Sequence, residues 1–347
     1  VWDYGATDSE RTYGSHHIRY IGPNLVVRLT TNAPITAVAE ELPFFLNDRI
    51  VLLLGPDESL QDDLRETANR FYHNTVEYWR DWVRHLTIPF EWQEAVIRAA
   101  IALKLNEFED TGAIIAAMTT SIPEAPNTVR NWDYRYVWLR DTALALEALL
   151  AHGHVEGATA WRDWLLRAIA GEPHEVQVMY TLSGERHMPE RELEHLPGHA
   201  DSRPVVVGNG AADQWQADVI GTVMMALCAL RDAGVPEDEW SWPLQKRLVE
   251  RVVAHREDPD HGLWEMRGEP AFFTHGRVKM WAALDRALHA VATHGVPATE
   301  AETAAWERHR DELREEILTR GVHADGHFTQ TYGSDAVDAS LLQIPHT

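Results

Sequence analysis

A change of hydrophobic period near residue 57 limits the architectures open to this chain. Before it, apolar residues come in short runs: His17-Ile18-Arg19-Tyr20, Leu25-Val26-Val27-Arg28-Leu29 and Arg49-Ile50-Val51-Leu52-Leu53-Leu54. Gly22-Pro23, Asn32-Ala33-Pro34 and Asn47-Asp48 separate these runs, and such residues break one strand from the next. Gly55-Pro56-Asp57 closes the strand stretch. From Ser59 the period becomes helical, with Leu60, Leu64, Ala68, Phe71, Val76, Trp79, Trp82 and Leu86 falling mostly three to five apart. Beyond Ile88-Pro89, helices are expected near 91–107, 140–153, 155–169, 210–233, 243–256, 274–295 and 299–319, with another starting near 336. No strand-like alternation of any length comes between them.

A chain patterned this way is mainly α and buries its apolar faces by packing helix on helix. Two architectures fit: an irregular bundle, or part of an (α/α) toroid in which paired helices form concentric rings. The loops favour the toroid. Residues 108–139 and 170–209 each form a connection of roughly thirty to forty residues, and loops that long in a compact protein are usually functional. No short repeat runs along the chain, which argues against a tetratricopeptide-type solenoid. The strands read as the end of an all-β domain, too few to close a sandwich, and Val1-Trp2-Asp3-Tyr4 reads as a β-rich segment already under way. The expected organisation is therefore the end of a β domain over 1–58, a linker helix over 59–86, and a helical domain over 87–347.

Charge and cysteine usage remove several function classes. Lys and Arg number 31 against 54 Asp and Glu, a net charge of −23 that repels nucleic-acid phosphates and anionic membranes. No apolar stretch approaches the roughly 20 residues of a membrane span, and no signal peptide opens the chain, so a cytoplasmic location is expected, although a lost leader stays open. A single cysteine, Cys228, excludes an internal disulfide framework and a cysteine-based zinc site; its apolar surroundings read as a buried structural thiol. The expectation is no cofactor, no metal, a small-molecule partner and an undetermined oligomeric state.

Three constellations could carry chemistry. In Arg130–Asp141, four aromatics, three arginines and two aspartates crowd a loop-to-helix junction. An Arg-Asp pair such as Arg140-Asp141 can hold adjacent sugar hydroxyls while Trp132 and Trp138 offer flat faces to C–H groups. A helix cap at Asp141 and an ordinary salt bridge explain the same residues equally well. In Gly262–Gly268, Glu265 is flanked by Trp264 and apolar neighbours just before a helix, with Phe272-Phe273-Thr274-His275 following. Low polarity favours the protonated form that a general acid needs, although a loop glutamate is most often simply solvated. In Gly184–Asp218, carboxylates and histidines cluster; His195 and His199 are four apart, but Pro197 and Gly198 between them do not belong to a helix, which disfavours a metal pair. Asn209 reads as a helix N-cap, and Gln214 and Asp218 are expected on one helix face, able to bond hydroxyls. There is no phosphate loop, no nucleophile elbow and no His-Glu-x-x-His, so any chemistry belongs to carboxylates.

At these motifs the chain resembles glycoside hydrolase family 15, the glucoamylase, glucodextranase and trehalase group. The resemblance rests on Thr111–Ala117, Thr119–Ala125, Arg130–Asp141, Glu190–Gly198, Arg203-Pro204-Val205 with Gly208-Asn209, Trp264-Glu265, and Asp338–Leu342, in family order. It implies an (α/α)6 toroid behind a β-sandwich, and exo-acting, inverting release of glucose from an α-glucoside. Glu265 is then the general acid. Trp138, Arg140, Asp141, Trp264, Trp132, Asn209, Gln214 and His275 are the expected substrate-binding residues. The second carboxylate, the base that activates water, comes in the family from a loop later than the segment resembling Asp338–Leu342. It is therefore expected beyond Thr347, with about four of twelve toroid helices, and the 347-residue chain alone is expected to be inactive or poorly stable. Two alternatives share these residues: an inverting disaccharide phosphorylase on the same barrel, and a non-catalytic sugar-binding remnant.

Overall fold

A computed structural model describes residues 8–169 and 175–347. The opening Val1–Tyr4 segment and the first part of the loop expected over 170–209 lie outside the described residues. The chain divides into two compact units, residues 1–85 and 86–347.

The first unit holds a four-stranded antiparallel sheet in the order β1 (Glu10–Tyr13), β2 (His17–Ile21), β3 (Val26–Thr31), β4 (Leu52–Pro56). Its register places Ile18 opposite Leu29, and Leu29 opposite Leu54. Strand β1 precedes the stretch where strands were expected, because its sequence Glu-Arg-Thr-Tyr carries no aliphatic alternation. Between β3 and β4 runs a short helix, α1 (Ile35–Ala39), and after β4 comes α2 (Leu64–Arg84). Asp63 fixes the start of α2 by accepting hydrogen bonds from the Arg65 and Glu66 amides. Asp57 ties β2 to β3 by pairing with both Arg19 and Arg28.

The second unit is helical. Its α-helices are α3 (Gln93–Lys104), α4 (Leu139–Ala151), α5 (Val155–Ile169), α6 (Asp218–Asp232), α7 (Ser241–Ala254), α8 (Thr274–His294) and α9 (Glu300–Arg320). Short antiparallel pairs pin the loops: β5 (Glu107–Phe108) with β6 (Ala113–Ile114), β7 (Val137–Trp138) with β8 (Met179–Tyr180), and β9 (Arg191–Glu192) with β10 (Val206–Val207).

Sequence polarity decides which helices lie inside. Helix α6 is apolar nearly all round and only Ala229 and Asp232 of its length escape burial, the mark of a central helix. Helix α9 buries one stripe, Trp306, Leu313 and Ile317, and turns charge outward, as an outer helix does. Arg140 on α4 meets Asp218 on α6, and Gly276 on α8 lies against Ala217 at the start of α6, so the three inner helices begin at the same end. Arg277, early in α8, pairs with Glu316, late in α9, which makes that outer helix antiparallel to its inner neighbour. Inner α4, α6 and α8 alternating with outer α5, α7 and α9 is the arrangement of an (α/α)6 toroid. The backbones of α6 and α8 nearly touch at Gly221, where an added Cβ would meet the Lys279 carbonyl oxygen at 1.8 Å. Only glycine fits there.

The linker helix expected over 59–86 begins only at Leu64, the helix expected over 91–107 spans Gln93–Lys104, and two later segments differ more. The segment near 336 forms a 3-10 helix, Ala339–His346, with Pro345 inside it, rather than an α-helix. The helix expected over 210–233 begins only at Asp218. Asn209 accepts from the Ala211 amide and starts a one-turn 3-10 helix over Gly210–Asp213, after which Gln214 is extended. Among the described residues no helix is long and apolar enough to cross a membrane.

Candidate active site

Three inner helices bring their N-termini to one end, and the exposed amide groups there favour negative charge. The carboxylates of this site gather at that end. Asp141 lies in the first turn of α4 and Asp218 opens α6. Glu265 sits in the loop that leads into α8.

That loop is closed by a ladder contact between Asp260 and Ala271, whose amides and carbonyls bond reciprocally at 2.8 and 2.9 Å. Within it Gly262 has φ +69, and a Cβ would strike the Phe273 ring at 2.8 Å. Glu265 itself has φ +55, left-handed backbone for a residue that carries a Cβ. Such strain costs on the order of 1–3 kcal/mol and persists only where the surroundings over-determine it. Here the Glu265 amide bonds the Gly262 carbonyl and the Met266 amide bonds the His261 carbonyl. The Gln214 side chain adds donors to the Glu265 and Met266 carbonyls at 3.4 and 3.3 Å.

The result is a fixed carboxyl. Glu265 Oε1 accepts from the Trp138 indole N–H at 2.6 Å, from Arg140 at 3.3 Å and from the Gln216 amide at 3.3 Å. Among the described residues Oε2 takes no hydrogen bond, so one oxygen is anchored and the other is left for a ligand. Trp264 and Met266, expected to surround Glu265 with apolar surface, are 53% and 45% exposed and do not enclose it. Its environment is polar, because the chain turn at φ +55 aims the side chain toward donors on α4 and before α6 and away from its own neighbours.

Arg140 is the hub. It is buried and donates to Gln216 Oε1 at 2.6 Å, meets Asp218 Oδ2 at 3.4 Å and Glu265 Oε1 at 3.3 Å, and lies 3.6 Å from Asp141. Burial works against its charge, but Asp218, Asp141 and Glu265 outweigh it and hold the guanidinium above its ordinary pKa. Asp141 keeps 44% of its side chain open to solvent. Burial raises its pKa, Arg140 opposes this, and the Glu265 charge adds to it. Asp218 is fully buried, and its Oδ1 has no hydrogen-bond partner among the described residues. His275, buried in the first turn of α8, bonds Gln343 through Nε2 at 3.3 Å, while Nδ1 has no partner among the described residues; burial holds its pKa down.

The remaining expected residues play other parts. Trp138 is buried, so its indole N–H on Glu265, not an open face, is what it contributes. Gln214 holds the Glu265 loop and accepts a bond from the Gln216 amide at 3.0 Å; it does not share a helix face with Asp218, since α6 starts four residues later. Asn209 caps its turn, the simpler of the two readings of that residue. Trp132 lies toward the rim, its ring under the Arg267 guanidinium at 4.9 Å and its N–H on Glu124. Trp264 bonds Asp338 at 3.2 Å. The long loops are stitched together by Thr120, Ser121 and Asn131 bonding the Val206, Ser202 and Pro204 carbonyls. Sequence reasoning took in Gln216 only as part of an amide-rich run without singling it out, and missed Asp260, which stands beside a histidine; neither has a spacing that marks it.

Asp260 is fully buried, bonds the Gly262 amide at 2.6 Å and leaves Oδ2 without a partner among the described residues. Burial pushes its carboxyl up to about 7, the Asp218 charge adding and the Gly262 amide opposing. The folded protein thus keeps a proton that the unfolded chain releases near pH 4. The stability this proton carries is fully present below the unfolded pKa and is lost as pH rises through about 7. Asp260→Asn keeps an acceptor for Gly262 and cannot ionise. Between about pH 5 and about pH 7 wild type is expected to lose stability relative to this variant, by about 1.4 kcal/mol for each pH unit crossed. The denaturation midpoint measured across that range checks it, and parallel pH profiles for the two proteins would refute the assignment.

A ring of paired helices with a carboxylate centre at one end places the molecule among the helical-toroid proteins. A solved structure described as a wild-type glycosidase superposes with a TM-score of 0.55 at 18% identity, over 72% of this chain and 62% of that one, a likeness of fold. The profile for glycosyl hydrolases family 15 matches residues 92–347, and the chain belongs to that family. Its sequence is 40% identical to a trehalase of Mycobacterium tuberculosis over 80% of this chain and 41% of that protein. It is 39% identical to a trehalase of Mycolicibacterium smegmatis over 91% of this chain and 48% of that protein. The chain spans about half the length of the curated relatives it matches.

Proposed function

We propose that the protein is an exo-acting, inverting α-glucoside hydrolase that releases glucose, with trehalose as substrate and Glu265 as general acid. The observation that carries this reading is the split of Glu265 between an oxygen fixed by three donors and an oxygen free of protein partners among the described residues. A proton on Oε2 can be delivered to a glycosidic oxygen from a geometry that Trp138, Arg140 and Gln216 keep rigid. Asp141, open to solvent beside Arg140, supplies the acceptor for a sugar hydroxyl whose own oxygen faces the guanidinium. That relatives at 39–40% identity are named trehalase supports trehalose as the substrate. An inverting enzyme also needs a base on the opposite face of the sugar, about 6.5–9.5 Å from the acid, to activate water. No residue of this chain is assigned to that part, and we place it outside residues 1–347.

Inversion makes a definite prediction. Trehalose joins two α-glucosyl units, so attack by water at one anomeric carbon yields β-glucose from that unit and α-glucose from the leaving unit. Early time points of the reaction by the full-length protein, followed by proton magnetic resonance, are expected to show the two anomers in equal amounts. Initial formation of α-glucose alone would establish retention and overturn the mechanism.

A further inference from the structure

The opposite end of the inner ring carries a second cluster of chemistry-bearing side chains. Cys228 and Asp232 lie one turn apart on the same face of α6. His289 and His294 lie on the last two turns of α8. Cys228 Sγ, an Asp232 carboxylate oxygen and a His289 ring nitrogen all fall within 4.8 Å of one another. His294 Nε2 is 2.8 Å from Asp232 Oδ1, and the two imidazoles meet edge to face at 5.7 Å.

We propose that Cys228, Asp232, His289 and His294 form a binding site for a divalent transition metal of borderline softness, with Zn²⁺ as the matching ion. The donor set is one thiol, one carboxylate and two imidazoles, which suits tetrahedral zinc and not magnesium or calcium. Four ligands around zinc stand roughly 3.3–3.8 Å apart, given bonds of about 2.0–2.3 Å, so Cys228, Asp232 and His289 need to close by about 1 Å, and His294, bonded to Asp232, has to turn in further to reach the same ion. Rotation of three surface-reaching side chains supplies that movement: Asp232, His289 and His294 are partly exposed, while Cys228 forms the buried floor.

Three further observations favour a cation here. First, Asp232 and His294 are the last residues of α6 and α8, so both helices direct the negative ends of their dipoles at the cluster. Second, His289 Nδ1 lies 3.4 Å from Thr293 Oγ1, and a proton on Nδ1 bonding that hydroxyl leaves the Nε2 lone pair facing Asp232. Third, the guanidiniums nearest Cys228 are engaged elsewhere: Arg231 with Glu237 and Gln245, Arg286 with Asp285 and the Thr347 carbonyl. Without metal, burial and the Asp232 charge hold the Cys228 thiol up at about 11, a neutral donor to Asp232 at 3.6 Å. On binding, the thiol proton leaves to solvent and the sulfur–metal bond takes its place, so one proton is released per metal.

Along α6, Asp218 lies ten residues from Cys228 and fourteen from Asp232, about 15 Å and about 21 Å of helix. The ion therefore clamps α6 to α8 and takes no part in glycosidic chemistry. The single cysteine does rule out a site built on cysteines alone; a mixed site needs only one.

The test is titration of the purified full chain with Co²⁺ followed by Zn²⁺ competition against a chromophoric chelator. The expected result is one equivalent bound, a thiolate-to-cobalt charge-transfer band in the near ultraviolet, and release of the cobalt by zinc. Cys228→Ser is expected to abolish the band, and His289→Ala or His294→Ala to weaken binding at least ~10-fold. The histidine variants change partly exposed side chains, and circular dichroism of each metal-free variant confirms that it is folded. A folded wild-type chain that gives no charge-transfer band, or binding that both histidine variants leave unchanged, overturns the proposal.

Discussion

Glu265→Gln in the full-length protein is expected to lower turnover of trehalose by ~10²–10⁴-fold, the usual contribution of a general acid, with little change in KM. The substitution keeps the side chain's size and keeps an oxygen for Trp138, Arg140 and Gln216, so the site's geometry survives. What it removes is the transferable proton. That difference can be read directly with α-glucosyl fluoride, whose leaving group needs no protonation. Turnover of the fluoride by the variant is expected to stay near wild type while turnover of trehalose collapses. Equal losses on both substrates would mean that Glu265 holds structure and does not donate a proton.

Arg140→Met is expected to damage stability as well as activity. Arg140 is the buried cation among Asp218, Asp141 and Glu265. Its loss leaves Asp218, fully buried, without its ion-pair partner, and breaking a buried pair from one side costs about 3–5 kcal/mol. The melting temperature is expected to fall by roughly 10 °C, given about 2–4 °C per kcal/mol for a domain of this size. On the proposed function turnover is expected to be lost, because Glu265 loses one of its three donors and the proposed sugar contact of Arg140 goes with it. Adding Asp218→Asn to Arg140→Met removes the orphaned charge. The double variant is therefore expected to regain much of the stability and none of the activity. Additive losses of stability would show that the two residues do not act as a pair.

The two outcomes differ because the residues carry different loads. Glu265 is one-fifth exposed, with Oε2 free of protein partners among the described residues, and its strained backbone is supported by Gln214. Its substitution is felt in the reaction. Arg140 lies where the N-termini of α4 and α6 meet, and its substitution is felt by the packing of the inner ring as well.

Much of the fold was legible because periodicity is a local signal. The helical period running from Leu60 to Leu86, which marks α2, and the apolar run around Cys228 inside α6 are each contained in one stretch of chain. Helices expected near 140–153, 155–169, 243–256, 274–295 and 299–319 correspond to α4, α5, α7, α8 and α9 within a residue or two at most ends. The errors arose where a local signal was ambiguous. Asn209 caps a turn, as its residue type suggests, but the turn is 3-10 and breaks before Asp218, so Gln214 and Asp218 do not share a helix.

The site was legible in its parts and not in its assembly. Residue types and motif order singled out Glu265, Arg140 and Asp141, because acids and guanidiniums crowded among aromatics are uncommon. The same reasoning wrongly gave Glu265 an apolar setting, since neighbours in sequence are not neighbours in space. Trp138 and Gln216 reach Glu265 across 127 and 49 residues, and no local pattern encodes such a contact. Residue order and periodicity were enough to specify a mainly helical chain of one family that carries a candidate acid and a guanidinium. What those groups face depends on packing between distant segments. The parallel inner helices converge their N-termini on the Glu265 site at one end, and α6 and α8 bring their C-terminal turns to Cys228, Asp232, His289 and His294 at the other.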